Sequence, residues 1–196
     1  MNSKLFQAIF NKNPNDYTDA QKLKMISTVQ KAIQSAPTRP NDSILFLKGD
    51  DVQKVMDLSK LFKLYTDCFG SNIKINPSHI YAFYITGTSV SSIVSTLTIE
   101  IDETTATLWN VCNDLQIKGG YMRSLMDASL DYIRKKYIRK KYIRKKCGVK
   151  TVQLYVLLSN PYYEKAVALY RSRGFKVDTQ FISEYGDRIR MIYTFL

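Results

Sequence analysis

The chemistry this sequence can support starts at a glycine-containing loop, Asn113 to Gly120, which runs from a β-branched stretch (Thr105 to Cys112) into a helix-patterned one. A helix N-terminus presents N–H groups without intrahelical partners and a partial positive charge, and glycine lets a diphosphate come close to that backbone. Lys118, Gly119 and Gly120 supply this combination, so the loop is a candidate anion site. Nucleophilic chemistry has less to draw on. The chain has one histidine, His79, so a Ser-His-Asp or Cys-His mechanism would have to use it. Its place just after Pro77, at the entrance of an apolar run, reads as structural. Cys68, Cys112 and Cys147 are odd in number, widely spaced and without a CxxC, which argues against both a zinc cluster and a disulfide framework. No metal is expected, and a reducing compartment is. Glu100, Asp102, Glu103 and Asp114 flank the 105–112 stretch, which itself holds no carboxylate; they read as solvated turn acids.

The formal net charge of +12 invites a nucleic-acid reading, but its distribution argues otherwise. Tyr132 to Lys146 is three perfect copies of Tyr-Ile-Arg-Lys-Lys and holds nine of the 29 basic residues. The rest of the chain carries 20 basic against 17 acidic residues, close to balance. A five-residue step along an α-helix leaves successive Tyr-Ile pairs about 140° apart, so they cannot form one buried stripe. The repeat therefore reads as a tandem duplication lengthening a helix at its solvated end. The competing reading is a basic prong making weak contact with a polyanion, an acidic partner or an anionic membrane surface.

The elements that must position the loop follow from the apolar pattern. At 196 residues the chain is long enough for one full domain with an appendage. Asp19 to Ala36 has a helical period with Thr18 or Asp19 as cap, and residues 1–43 read as a helical N-terminal extension and linker. From Ile44 the order is strand, helix (Asp50 to Gly70, with Val52, Val55, Phe62, Tyr65 and Phe69 on one side), three strands (80–86, 92–99, 105–112) and a long helix from Tyr121 to Gly148. An apolar strand (149–158) of the kind buried on both faces, a helix stopped by Gly174, and two strands (175–182, 188–196) complete it. No run is long and apolar enough to span a bilayer, and the first ten residues do not resemble a secretory signal, so a cytoplasmic location is expected. Abundant Lys, Asn and Ile with a perfect repeat suggest an AT-rich genome such as that of a large DNA virus, which would place the protein in host cytoplasm or virion.

Two stretches carry a resemblance to a known family. Leu154 to Phe175, LYVLLSNPYYEKAVALYRSRGF, resembles the strand–Asn–helix–Gly-Phe motif of the Gcn5-related N-acetyltransferases (GNAT) at Asn160, Ala166 or Ala168, Leu169, Tyr170, Gly174 and Phe175. Leu108 to Met126, LWNVCNDLQIKGGYMRSLM, resembles their acetyl-CoA motif, a strand followed by Arg/Gln-x-x-Gly-x-Gly/Ala and a helix. Anchoring that motif on Gln116 uses Gly119 and puts Tyr121 at the last small position. Anchoring on Leu125 uses Gly120 and puts Ile117 at the Arg/Gln position and Met122 at the last small one.

The resemblance implies an α+β fold from 44 to 196, a mixed central sheet of about six or seven strands flanked by helices, with acetyl-CoA as co-substrate. It implies that the strand ending at Val111 and Cys112 splays from the 152–158 strand, and that backbone near Val111 and Asn113 pairs with the pantetheine amides. Asn160 would hydrogen-bond the pantetheine arm, and Tyr170 would protonate the departing thiolate. Asn160 would also serve as a helix N-cap ahead of Pro161, a role compatible with that one, and the competing role for Tyr170 is a core aromatic. Trp109 and Asn110 would shape the acceptor side, and no general base stands out. The implied activity is acetyl transfer to a primary amine, on a small molecule or a protein lysine or N-terminus, by direct attack in a ternary complex; a homodimer is compatible with it. The alternative is a non-catalytic GNAT-like binding protein that docks through the repeat or the N-terminal helices.

Overall fold

The computed structural model of the protein describes residues 17–35, 42–56, 58–86, 92–138, 148–184 and 186–195. Expectations for the first residues, for most of the 38–43 turn, for Tyr185 and for repeat residues 139–146 lie outside these. The strands β1 (Ile33–Ser35), β2 (Ser43–Lys48), β3 (Ile80–Thr86), β4 (Ser92–Asp102), β5 (Thr105–Asn113), β6 (Thr151–Leu157), β7 (Lys176–Val177) and β8 (Arg188–Thr194) form a mixed sheet in the order β1-β2-β3-β4-β5-β6-β8-β7. By contacts the chain divides into two compact units, Met1–Thr98 with Asn110–Ala128, and Ile99–Trp109 with Ser129–Leu196. Among the described residues no helix is long and apolar enough to cross a membrane.

In the first unit, α1 (Asp19–Ala32) opens with a reciprocal capping box. Thr18 N–H donates to Gln21 Oε1 at 2.9 Å and Gln21 N–H to Thr18 Oγ1 at 3.3 Å. The helix stops four residues before its expected end at Ala36, because Ile33–Ser35 leave it to form β1 against β2 (Ser43–Lys48). A free sheet edge offers these residues backbone partners that a last helical turn before Pro37 could not keep. β2 pairs antiparallel with β3 (Ile80–Thr86), from Ser43–Ile85 to Lys48–Ile80.

The expected single helix is two, α2 (Gly49–Val55) and α3 (Leu58–Phe69), separated by an extended Met56 whose N–H still reaches Val52 O. The break resets the helical phase. Leu61, Leu64 and Tyr65 turn inward on α3, and Phe69, expected on the apolar side, is exposed. Gly49 is obligatory where α2 starts, since a Cβ there would come 2.0 Å from Asn76 O. His79 belongs to this same turn: its carbonyl accepts the Gly49 N–H at 2.9 Å and its Nε2 lies 3.2 Å from Asn76 Nδ2. The structural reading of His79 fits these contacts.

One expectation is overturned here. Cys68 on α3 and Cys112 on β5 (Thr105–Asn113) are joined by a disulfide, their Cα atoms 6.0 Å apart. Sequence separation of 44 residues concealed the pair, because only the packing of α3 against the sheet brings them together.

In the second unit, β6 (Thr151–Leu157) pairs parallel with β5 from Thr105–Thr151 to Leu108–Leu154, and antiparallel with β8 (Arg188–Thr194) along its length. Its burial alternates, with Val152, Leu154 and Val156 inside, so it is not buried on both faces as the apolar run implied. After α5 (Tyr163–Ser172), β7 is only Lys176–Val177 rather than a strand to Ile182. Asp178 N–H makes one more bond to Arg190 O, and its carboxylate then accepts from Gln180 N–H in a turn that ends pairing.

Helix α4 (Tyr121–Ile133) runs on as a π-helical turn, Arg134–Ile138. This corrects the expected α-helical phase of the repeat. The Tyr132 and Tyr137 rings lie 6.3 Å apart, and Lys136 Nζ sits 4.6 Å above the Tyr132 ring. A wider turn brings residues five apart onto one side.

Candidate active site

The loop after β5 is built from short-range hydrogen bonds. Asn113 Oδ1 accepts from the Ser95 hydroxyl, and Asn113 Nδ2 donates to Asp114 O at 2.8 Å. Asp114 N–H donates to Val94 O at 2.8 Å, and its carboxylate accepts from Gln116 N–H at 2.9 Å. Ile117 N–H then closes a turn on Asp114 O at 3.3 Å. Past that turn Lys118, Gly119 and Gly120 are exposed. Gly120 has φ 70, and its carbonyl accepts from Arg123 and Ser124 N–H as the first bonds of α4. Nothing lies within 4 Å of where a Gly120 side chain would stand, so this face of the backbone is open. Tyr121 and Met122 are both buried, and the Tyr121 ring meets Tyr84 edge-on at 5.0 Å. The bulky residues at the small positions of the motif therefore turn inward, the Tyr121 ring lying against Gly119, and leave the Gly120 face clear.

Val111 and Asn113 are half-buried and Cys112 is buried. Just before them Asn110 has φ 51, a left-handed residue within a strand, with its Nδ2 3.5 Å from Thr98 Oγ1. Such a residue bends a strand locally.

In the second unit, Asn160 is half-buried, and its Oδ1 accepts Tyr162 N–H at 2.8 Å while its carbonyl accepts Tyr163 N–H at 2.9 Å. The residue at the N-cap is Tyr162, so Asn160 makes an Asx-type turn leading into α5 rather than the expected cap. Tyr170 on α5 is 7% exposed and meets Phe175 edge-on at 6.1 Å. Burial pushes its phenol up to about 12.

The fold of this chain recurs in solved structures. Arabidopsis thaliana Naa50, solved with a bisubstrate analogue, superposes with a TM-score of 0.55 at 16% identity over 80% of this chain and 100% of that one. The chain has the GNAT acetyltransferase fold. The GNAT fold is also that of the ribosomal-protein-S18-alanine N-acetyltransferase from Escherichia coli, which matches with a TM-score of 0.53 and 20% identity over 77% of this chain and 90% of that one. The spermidine/spermine N-acetyltransferase SpeG from Vibrio cholerae matches with a TM-score of 0.53 and 17% identity over 79% and 94%. No family model matches the sequence, and no curated protein does.

Within this GNAT fold, Val111 to Met122 form one continuous stretch of the first unit, while Asn160 and Tyr170 belong to the second. One arrangement was missed. Glu100 is not a turn acid: it lies on β4 (Ser92–Asp102), and the Glu103–Thr104 turn comes later, with Glu103 at φ 37. Glu100 Oε2 accepts the Trp109 indole N–H at 2.7 Å, and the Trp109 ring stacks on Tyr155 at 5.3 Å. Tyr155 in turn packs on Phe181, which carries the Arg190 guanidinium 4.7 Å above its ring. Carrying the strand expected over 92–99 on to Asp102 would have set Glu100 across from the Trp109 region.

Proposed function

We propose that the chain is an N-acetyltransferase that moves an acetyl group from acetyl-CoA to a primary amine by direct attack, with residues 44–196 as its catalytic domain. The observation that carries this reading is the open, glycine-built entry to α4. Exposed Lys118, Gly119 and a left-handed Gly120 stand at the N-terminus of a 13-residue helix, directly after a strand whose parallel ladder ends at Leu108. The partial positive charge of a helix N-terminus and a lysine are suited to a diphosphate. Gln116 and Ile117 form the turn before them, and Tyr121 and Met122 fix the first turn of the helix from inside.

Acetyl-CoA supplies the activated thioester carbonyl. In our assignment the backbone of Val111 and Asn113 pairs with the pantetheine amides, Cys112 anchors that strand from below, and Asn160 orients the arm. Tyr170 supplies the proton that the departing sulfur needs. Burial, which raises the phenol to about 12, keeps its proton in place at working pH values. The Trp109–Glu100 pair with Tyr155 forms the acceptor wall. The structural neighbours named above act on a protein alanine and on polyamines, so amines of both kinds are the acceptors to assay.

Calorimetric titration with acetyl-CoA tests the reading most directly. At 100 times its dissociation constant the ligand should stabilise the protein by about 2.7 kcal/mol, visible as a higher Tm. Neither heat nor a Tm shift at millimolar acetyl-CoA would leave a GNAT-like binding protein as the better reading.

A further inference from the structure

The two sulfurs of the Cys68–Cys112 bond are not equivalent. Cys112 is 2% exposed, and its Sγ lies 3.4 Å from Leu64 O. Cys68 is half-buried and forms part of the wall of a cavity of about 550 Å³ between α3 and the residues that follow β5. Lys60, Lys63 and Asp67 line the same cavity from α3 and Asp114 from the loop, over an apolar contribution from Leu64. Among the described residues, none of these four charges has an ion-pair partner. The wall that holds the half-buried Cys68, whose Sγ lies 3.6 Å from Asn113 O, thus also carries two ammonium and two carboxylate groups, none of them in an ion pair among the described residues.

We propose that Cys68 is a thiol-exchange site, and that the cavity receives a small zwitterionic thiol peptide of the glutathione class. Such a ligand has two carboxylates for Lys60 and Lys63 and one ammonium for Asp67 or Asp114. In the exchange its thiolate attacks Cys68 Sγ and forms a new S–S bond. The Cys68–Cys112 bond breaks, its electron pair goes to Cys112 Sγ, and that sulfur takes a proton from solvent. A second thiol attacks the peptide's sulfur in the mixed disulfide, releasing the oxidised peptide and the Cys68 thiolate, so two thiols supply the two electrons. The oxidised peptide runs the sequence in reverse. Where free thiols are abundant, a cysteine pair joined by a single exchangeable bond serves regulation rather than stapling. The exchange shares Cys112 and Asn113 with the proposed pantetheine strand, but its test reads the two thiols alone, so its failure is distinguishable from a failure of acetyl transfer.

The test uses the full-length protein with Cys147→Ser, so that any free thiol belongs to the pair. Oxidised protein is pulsed with glutathione, quenched in acid, capped with N-ethylmaleimide and read by peptide mass spectrometry. Glutathione is expected on the Cys68 peptide with maleimide on Cys112. Lys60→Gln with Lys63→Gln should slow exchange with glutathione by about 3–10-fold at low salt and leave exchange with neutral 2-mercaptoethanol within about 2-fold. Coenzyme A, which has no ammonium group, should exchange more slowly than glutathione. Glutathione on Cys112 instead, free thiols before any reductant is added, no trapped adduct, or a double variant that slows both thiols equally would each overturn the proposal.

Discussion

The Tyr121 ring occupies the space that a side chain on Gly119 would need: a Cβ there would stand 2.5 Å from Tyr121 Cε2. The neighbouring Gly120 is glycine for another reason, its φ of 70. Gly120→Ala should cost about 1 kcal/mol of stability through backbone strain alone. Gly119→Ala should displace the ring from Tyr84 and weaken acetyl-CoA binding, and Tyr121→Ala should partly restore binding to it. A double-mutant cycle by denaturation and calorimetry checks this. Strict additivity of Gly119→Ala and Tyr121→Ala would mean that the ring does not set the loop.

Tyr170→Phe preserves the packing on Phe175 and removes only the proton. Turnover should fall by about 10²–10⁴-fold with the acetyl-CoA dissociation constant nearly unchanged. An unaltered kcat would assign thiolate protonation to water or another group.

Alkaline pH should destabilise the protein in a defined window. Burial raises Tyr65 and Tyr170 to about 12, whereas an unfolded tyrosine titrates near 10. A folded-state value above the unfolded one means that the native protein holds protons which the unfolded chain has released. The stabilisation is therefore whole below pH 10 and is lost as pH rises from 10 to 12, on the order of 2 kcal/mol for each tyrosine. Urea melts at pH 9, 10.5 and 11.5 should show the decline, and Tyr170→Phe should make it shallower.

Tyr65 carries a separate expectation. Its hydroxyl and that of Thr96 are fully buried, and neither meets a hydrogen-bond partner in good geometry. Removing an unsatisfied buried hydroxyl relieves a desolvation cost, so Tyr65→Phe should leave stability unchanged or raise it by about 1 kcal/mol. A loss above that amount in a thermal melt would reveal a partner such as a bound water.

The chain has a single tryptophan, so Trp109 fluorescence reports on the proposed acceptor wall without labelling. Amine acceptors should change its emission. Trp109→Phe removes the donor to Glu100 Oε2 and should raise the KM for amine by about 3–10-fold while acetyl-CoA binding is retained. A rise in the acetyl-CoA dissociation constant of the same size would place Trp109 on the cofactor side.

The elements that specify this fold were legible because their signals are local. The Gly70, Gly120 and Gly174 punctuation, the Thr18 cap and the order of strands and helices all depend on neighbours within one turn of chain. What escaped depends on pairing across distance. Met56 breaks a helix whose apolar period continues through it, and Ile33 leaves a helix because a sheet edge is there to receive it. Cys68 and Cys112 look like unrelated thiols until α3 packs. Glu100 has the composition of a turn acid, and only the hairpin gives it the Trp109 indole. In the candidate site, the glycine loop could be read from type and spacing. The inward turn of Tyr121 could not, since it is set by Tyr84 on a different strand.

The π turn at Arg134–Ile138 makes one wide turn comparable in length to one unit of the Tyr-Ile-Arg-Lys-Lys repeat. Slippage of a replicating template adds or removes such units whole. In an ordinary α-helix each event would swing the downstream chain by about 140°, whereas at this wider pitch a unit returns it close to the same side, as the Tyr132 and Tyr137 rings already show. Over Arg134–Ile138 the helix end thus accommodates one five-residue unit without changing side. Natural variants with different copy numbers should be folding-neutral alleles, separated only by surface charge.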